Sequence, residues 1–276
     1  MAAYDYDKYL RTDHIPTQWC PGCGNGIVLK AITRAIVDCG WDMKDVVVVS
    51  GIGCSGRISS YLDCHTVHTT HGGAIPTATG ILFANPDKHV IVVSGDGDGL
   101  AIGASHFVHA CRRNIGLNYV VINNFIYGLT NSQASPTTPQ GMWAVTQQAG
   151  VIERPFDACD LAIGAHGTFV ARSTTLDLVS LSNIMTKAFK HPGFSFVEVF
   201  SACPVNFGRN NGMGDPEKNE NWIDSIVLPK VKFDALDEAS KAGMFPTGIL
   251  LQNDTVPEFC ASYDALVASL QEGGGA

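Results

Sequence analysis

The sequence predicts an α/β fold, a doubly wound and mostly parallel sheet with helices on both faces, from three observations. Short runs of β-branched and aromatic residues recur along the chain, segments with helical apolar spacing separate them, and glycine-rich turns close the runs. In chain order, Val28, Ile32, Ala35 and Ile36 share one helical face, and Asp45 to Ser50 (DVVVVS) follows as a strand. Val90 to Ser94 is the next strand, followed by a helix with Leu100, Ala104, Val108 and Cys111 on one side. Leu117 to Asn123 (LNYVVIN) is a third strand. Leu178, Leu181, Met185 and Phe189 mark a further helix before the strand Phe194 to Phe200 (FSFVEVF). Runs this apolar suit strands buried on both faces of a parallel sheet, joined by right-handed crossovers. In such sheets ligands sit outside the carboxyl ends of the strands. Gly51 to Arg57, Gly95 to Leu100 and Asn123 to Thr130 therefore face one crevice.

Composition narrows the function classes. The 276 residues carry no Pro/Ser-rich or charge-block linker, and they are expected to form one soluble domain spanning 1–276. Only 16% are charged against 45% hydrophobic, which leaves room for surface buried against partner chains, and the net charge of −8 argues against nucleic acid. Met1 to Trp19 has no apolar signal core and no run approaches a membrane span, so a cytoplasmic location is expected. Nine cysteines in such a chain favour thiols, metal ligands or clusters over a disulfide framework. There is no internal repeat, and Gly273 to Gly275 read as a frayed tail.

Two constellations carry chemistry. Gly95-Asp96-Gly97 closes a strand, and Asn124 follows Asp96 by 28 positions at the end of the next. A carboxylate and an amide at neighbouring strand ends can share one hard cation, while Gly95, Gly97 and Gly99 let the backbone approach phosphate oxygens, as a metal-bound diphosphate requires. The plain alternative is a pair of turns, with Asp96 capping the next helix. The second constellation is Trp19-Cys20-Pro21-Gly22-Cys23-Gly24, with Cys54 after the DVVVVS strand and Cys203 after FSFVEVF. A CxxC pair suits structural zinc, a redox dithiol or an iron–sulfur cluster, and Cys54 and Cys203 supply a possible third and fourth ligand. Cys39, Cys64, Cys111, Cys159 and Cys260 read as small, mostly buried residues. His65, His68 and His71 have a helical spacing, yet Thr66, Val67, Thr69 and Thr70 favour extended structure ended by Gly72-Gly73. His106 and His109 read as helix surface, and Arg112-Arg113 as a solvated helix end.

The motifs WCPGCGNG, GIGCSGR, HTTHGGAIPTATG, GDGDGLAIGASHFVHACRRNI, NNFIYGLTNSQASPTTP and FSACP together resemble the β subunit of the 2-oxoacid:ferredoxin (acceptor) oxidoreductases, over nearly the whole chain. NNFIYGLTNSQASPTTP and FDACDLAIGAHGTFVAR look most like the 2-oxoglutarate:acceptor branch. The resemblance implies thiamine diphosphate with Mg²⁺ held by Asp96, Asn124 and the backbone carbonyl of Ile126. It implies cofactor contacts from Ile52, Gly53, Cys54, Ser55, His71, Gly97, Asp98, Gly128 and Leu129. It further implies one [4Fe-4S] cluster on Cys20, Cys23, Cys54 and Cys203, a cluster-binding N-terminal segment over about 15–60 and a C-terminal extension over about 205–276. The implied reaction is oxidative decarboxylation of a 2-oxoacid. Electrons pass singly to the cluster and on to ferredoxin or a similar carrier, while coenzyme A takes the acyl group. For 2-oxoglutarate the products are succinyl-CoA, carbon dioxide and two reduced-carrier equivalents.

One requirement has no candidate in the chain. Thiamine activation needs an acid, usually Glu, against the aminopyrimidine, and the resemblance assigns it to an α subunit together with much of the substrate pocket. The chain alone is therefore expected to be inactive, and small ferredoxin-like accessory subunits are possible further partners. Many relatives carry Arg at the position of Gly73 and Lys at that of Asn131, either of which would suit a second carboxylate or coenzyme A phosphates. Pyruvate, branched-chain and aryl 2-oxoacids stay open as substrates. So do two other readings: a zinc-stabilised, non-catalytic interaction subunit, and a thiamine decarboxylase without electron transfer.

Overall fold

The computed structural model describes residues 4–273. Its elements are α1 (Asn25–Cys39), β1 (Val46–Ser50), β2 (His65–His68), α2 (Ala74–Ala84), β3 (His89–Gly95), α3 (Ala104–Arg113), β4 (Asn118–Asn123), α4 (Ala158–Gly164), β5 (Phe169–Thr174), α5 (Leu178–Phe189), β6 (Ser195–Phe200), α6 (Pro216–Ser225), β7 (Val227–Pro229), α7 (Lys230–Asp234), β8 (Phe245–Gln252) and α8 (Phe259–Gly273). The eight strands form one sheet in the order β2-β1-β3-β4-β6-β5-β8-β7. All neighbours are parallel except β5 and β8, which pair antiparallel. Every residue of β1, β4, β5 and β6 is buried. This explains their near-continuous apolar sequence, since a parallel sheet covered on both faces has no solvent side to mark by alternation.

Two cores flank the sheet. On one face Val48, Ile91, Val120 and Val197 pack beneath Val28 and Ile32 of α1 and Leu181 and Met185 of α5. On the other, Val49, Val92, Val121 and Phe196 pack beneath α2, α3 and α4 through Ala78, Phe107 and Ala158. A third, aromatic cluster of Phe125, Phe200 and Phe207 with Trp222 lies beyond the carboxyl ends of β4 and β6. Among the described residues, no helix is long and apolar enough to cross a membrane.

The order of the strands fixes where a ligand can sit. From β1 the chain moves to β2 on one side, whereas β3 lies on the other side and leads on to β4, so the connections diverge between β1 and β3. Such a divergence opens a crevice at the carboxyl ends. The four expected strands appear within a residue of their expected bounds. The helix after Gly97 differs in phase. Asp98–Ile102 is a π-helical turn, and the buried residues beyond it are Phe107, Ala110 and Cys111, with Ala104 and Val108 only half-buried. One extra residue in a turn rotates the rest of the helix by about 100°, which moves Phe107 into the core and Val108 toward its edge. The segment beyond Cys203 adds α6, β7, α7 and β8, extending the same sheet past β5. Of the glycine tail, Gly273 ends α8, and Gly274 and Gly275 lie outside the described residues.

Candidate functional site

The crevice holds a pocket whose wall includes Ile52 to Ser55 after β1, Gly95 to Asp98 at the end of β3, Asn124 and Ile126 to Leu129 after β4, and His71. The strand-end segments that the sequence assigns to one place thus meet. Asp96 is 2% exposed, and burial pushes its carboxyl up to about 6. Its Oδ2 accepts from the Thr137 hydroxyl at 2.9 Å. Its Oδ1 lies 3.3 Å from one terminal atom of the Asn124 amide, and that same atom is 2.6 Å from the Ile126 carbonyl oxygen. With nitrogen there, the amide donates to both oxygens. With oxygen there, it accepts from Ile126 N–H at 3.3 Å, and three oxygens face one another with no donor between them. The second arrangement is costly without a cation and favourable with one. Octahedral Mg²⁺ at about 2.0–2.1 Å from its ligands spaces adjacent oxygens by about 2.9 Å, and the observed separations bracket that spacing. The donor set therefore fits a small hard cation.

The glycines beside Asp96 are required by contact rather than by turn geometry alone. A Cβ on Gly97 would stand 2.5 Å from the Tyr127 ring, whose hydroxyl donates to the Gly97 carbonyl at 2.9 Å. Asp98 has a different task from Asp96. Its Oδ1 accepts from Gly72 N at 2.8 Å and Ile52 N at 3.1 Å and meets His71 Nδ1 at 2.6 Å, while a Cβ on Gly51 would fall 1.7 Å from its Oδ2. One buried carboxylate thus ties the loops after β1 and β2 together. With Nδ1 donating to Asp98, the His71 ring presents Nε2 as its remaining polar atom. His65 and His68 are exposed on β2, with His68 Nδ1 3.0 Å from Ser50 Oγ, and His106, His109, Arg112 and Arg113 lie on α3, away from the cavity wall.

A second pocket adjoins the first. Cys20, Cys23, Cys54 and Cys203 all line it, and Cys54, Asn124, Gly128 and Leu129 belong to both walls. A Cβ on Gly128 would lie 3.6 Å from Cys54 Sγ and 3.7 Å from Cys203 Sγ, so this glycine packs against two thiols. Burial pushes Cys23 up to about 12 and Cys54 up to about 11, and neighbouring thiols add to both. Cys203 precedes a second π-helical turn, Pro204–Gly208, and Trp19 Nε1 donates to the Cys54 carbonyl at 2.8 Å. A tetrahedral zinc site has Zn–S of about 2.3 Å and hence sulfurs about 3.8 Å apart. Among the described residues, the set of three ligand atoms lying within 4.8 Å of one another is Asp157, Cys159 and Glu198, not three of these four thiols. The four thiols line one pocket, and no three of them lie within 4.8 Å of one another.

The Asp157, Cys159 and Glu198 set is filled by a guanidinium. Arg172 of β5, 1% exposed, donates from Nε to Glu198 Oε2 at 2.7 Å and from Nη2 to Asp157 Oδ1, and it stacks over Phe200 and Phe245. From there a buried chain of polar groups runs back to the first cavity. Asn123 Nδ2 donates to Glu198 Oε1 at 2.8 Å, and Thr137 Oγ1 lies 2.9 Å from both Asn123 Oδ1 and Asp96 Oδ2. Thr137, Asn123 and Glu198, and Asn25 and Tyr127 in the first cavity's wall, have no place in the sequence-derived set. Asn25 lies in the motif WCPGCGNG and Asn123, Tyr127 and Thr137 in NNFIYGLTNSQASPTTP, both of which carry the resemblance without giving these residues a role.

Residues 51–199 match the family model of the thiamine pyrophosphate enzyme C-terminal TPP binding domain. The chain is 44% identical over 270 residues to the 2-oxoglutarate synthase subunit KorB of Archaeoglobus fulgidus, covering 98% of this chain and 97% of that one. It is 40% identical to the 2-oxoacid:ferredoxin oxidoreductase subunit beta of Saccharolobus solfataricus, covering 87% of this chain and 83% of that one. A solved structure of the 2-oxoglutarate:ferredoxin oxidoreductase from Magnetococcus marinus, with 2-oxoglutarate, coenzyme A and succinyl-CoA bound, superposes with a TM-score of 0.85 at 31% identity, covering 100% of this chain and 93% of that one. The cavity at the diverging strand ends is thus part of a thiamine pyrophosphate-binding domain, and the chain belongs to the β subunits of the 2-oxoacid:ferredoxin oxidoreductase family, which includes the 2-oxoglutarate synthases.

Proposed function

We propose that this chain is the cofactor-binding β subunit of an enzyme that oxidatively decarboxylates 2-oxoglutarate to succinyl-CoA and carbon dioxide, passing electrons to ferredoxin or a similar acceptor. The observation that carries the proposal is the shared wall: Cys54, Asn124, Gly128 and Leu129 separate a pocket with a cation-ready oxygen triad from a pocket lined by four cysteines. Asp96, Asn124 and the Ile126 carbonyl would hold Mg²⁺, and Cys20, Cys23, Cys54 and Cys203 would hold one [4Fe-4S] cluster. The open spacing of the thiols supports a cluster over zinc, because a cluster takes each cysteine on a separate iron. When bound, thiamine diphosphate supplies the electron sink for decarboxylation, and the cluster accepts electrons singly.

The chain's own residues bind and orient. Asp98 draws the Ile52 and Gly72 amides and the His71 ring to one place, which shapes the wall formed by Ile52, Gly53, Cys54 and Ser55. Gly97 lets the backbone lie flat against Tyr127, and Gly128 and Leu129 form the partition between the cavities. We read residues 1–276 as one cofactor-binding domain of a cytoplasmic complex, with an α subunit completing the site and small ferredoxin-like subunits as further carriers. The test is purification under anaerobic conditions with iron and acid-labile sulfide assays, then carrier reduction by the complex reconstituted with its α partner across a 2-oxoacid panel with coenzyme A. A brown protein that turns over 2-oxoglutarate is expected. A colourless zinc protein would overturn the cluster assignment, and turnover of pyruvate or a branched-chain or aryl 2-oxoacid in place of 2-oxoglutarate would overturn the substrate assignment.

A further inference from the structure

We propose that Asn25 is a positioning residue joining the two cavities, its side-chain amide donating to the sulfur of Cys23 and so holding the cluster at a higher reduction potential; this rests on the cluster reading above. Asn25 is the first residue of α1 and is 2% exposed. Its Nδ2 lies 3.2 Å from Cys23 Sγ, and its Oδ1 is buried without a hydrogen-bond partner. It makes no capping bond to its own helix, whose N-cap is Gly24. A buried amide that neither caps a helix nor joins a backbone network is left with one protein partner, and that partner is a thiol of the cluster set.

The position is as informative as the bond. Asn25 belongs to the wall of the cofactor cavity, whereas Cys23 belongs to the wall of the thiol cavity. Electrons leaving the first for the second therefore pass beside this side chain. Its amide hydrogen lies on the sulfur side, and its carbonyl oxygen has no protein donor, which leaves it for a group brought in by the bound cofactor or substrate.

The direction of the effect follows from charge. A cysteine sulfur bound to iron becomes more negative when the cluster is reduced, so an N–H donor stabilises the reduced form more than the oxidised one, and losing the donor lowers the midpoint potential. Asn25→Leu removes the donor at nearly constant volume, and Asn25→Asp replaces it with an acceptor of the same shape. In the holoenzyme complex, both variants should titrate by EPR-monitored reduction at a more negative midpoint than the wild type. Iron and sulfide content should be unchanged, and the rate of carrier reduction should fall. Variants that keep full iron content and titrate at the wild-type midpoint would overturn the inference. A wild-type protein without iron and sulfide would instead overturn the cluster reading itself. If both variants lose the cluster, pulsed EPR of the reduced wild type labelled with ¹⁵N in asparagine side chains decides: a coupled amide nitrogen upholds the bond, and its absence refutes it.

Discussion

Asp96 has two carboxylate oxygens, and the fold gives them different work. Oδ2 is taken by the Thr137 hydroxyl, which leaves Oδ1 turned toward Asn124 and Ile126. Thr137 is itself buried and is held within reach of Asn123, whose amide is oriented by Glu198 on one side and by the Phe125 N–H on the other. Groups of this kind fix the direction from which a metal ligand presents its lone pairs, and losing one typically weakens metal binding about 10–100-fold. Thr137→Val keeps the shape and deletes the hydroxyl. Calorimetric titration with thiamine diphosphate and Mg²⁺ should show affinity reduced within that range, Thr137→Ser should recover it, and wild-type affinity in Thr137→Val would refute the role. Asp96 and Asn124 were legible in the sequence because each ends an apolar run, and a polar residue there has an obvious reason to face a crevice. Thr137, Asn123 and Glu198 were not, since their relation to Asp96 exists only after three strands and a long loop have been brought together.

Among the elements, β5 shows how a buried charge both hides from a sequence reading and organises the sheet. Phe169 to Thr174 contains Arg172, which breaks the apolar run that marks the other central strands. The strand is nonetheless buried along its length, because Glu198 on β6 stands directly opposite in register and Asp157 reaches the same guanidinium from the start of α4. Removing one member of such a set leaves the others charged and unpaired in the interior, at a cost of about 3–5 kcal/mol. Arg172→Leu should lower the unfolding free energy by about that amount in chemical denaturation, and adding Glu198→Gln should restore part of it, since the glutamine still accepts from Asn123. The phase of α3 was hidden for a different reason: a π turn leaves no compositional trace, so a strict helical repeat carried from Leu100 reaches Cys111 but misses Phe107 and Ala110 and overstates Ala104 and Val108. At the far end of α5, His191 links Thr168 at 2.8 Å and Asp254 at 2.9 Å. Burial pushes its imidazole below the usual value despite the Asp254 carboxylate. The folded chain therefore takes up this proton less readily than the unfolded one, so the stability is fully present above about pH 6.5 and is lost as pH falls through the depressed value. Melting temperatures of the wild type should fall more steeply below pH 6.5 than those of His191→Gln, and parallel acid limbs would refute the contribution.

At the scale of the whole molecule, the proposed function puts cofactor binding in this chain and the activating acid on a partner. The two carboxylates in its wall are Asp96 and Asp98. Asp96 is engaged by Thr137 and the oxygen triad, and Asp98 Oδ1 by three donors from the loops after β1 and β2. Asp98 Oδ2 stays buried without a hydrogen-bond partner, packed beneath Gly51, and the proposed division of labour places the acid that general acid–base catalysis needs on a second chain. Leu129 and Ile102, beside this cavity and on the adjoining π turn, are 45% and 55% exposed, apolar surface of the kind a second chain covers. Loaded with Mg²⁺ and thiamine diphosphate, the isolated chain should exchange the cofactor's C2 proton for deuterium at the rate of the free cofactor, read by NMR after acid quench. It should also give no 2-oxoacid-dependent carrier reduction. Adding the α partner should accelerate both, because it supplies the missing carboxyl without altering the triad or the thiols. Accelerated exchange in the isolated chain would mean that a proton-transfer group is already present among these residues, and it would sink the proposed division of labour.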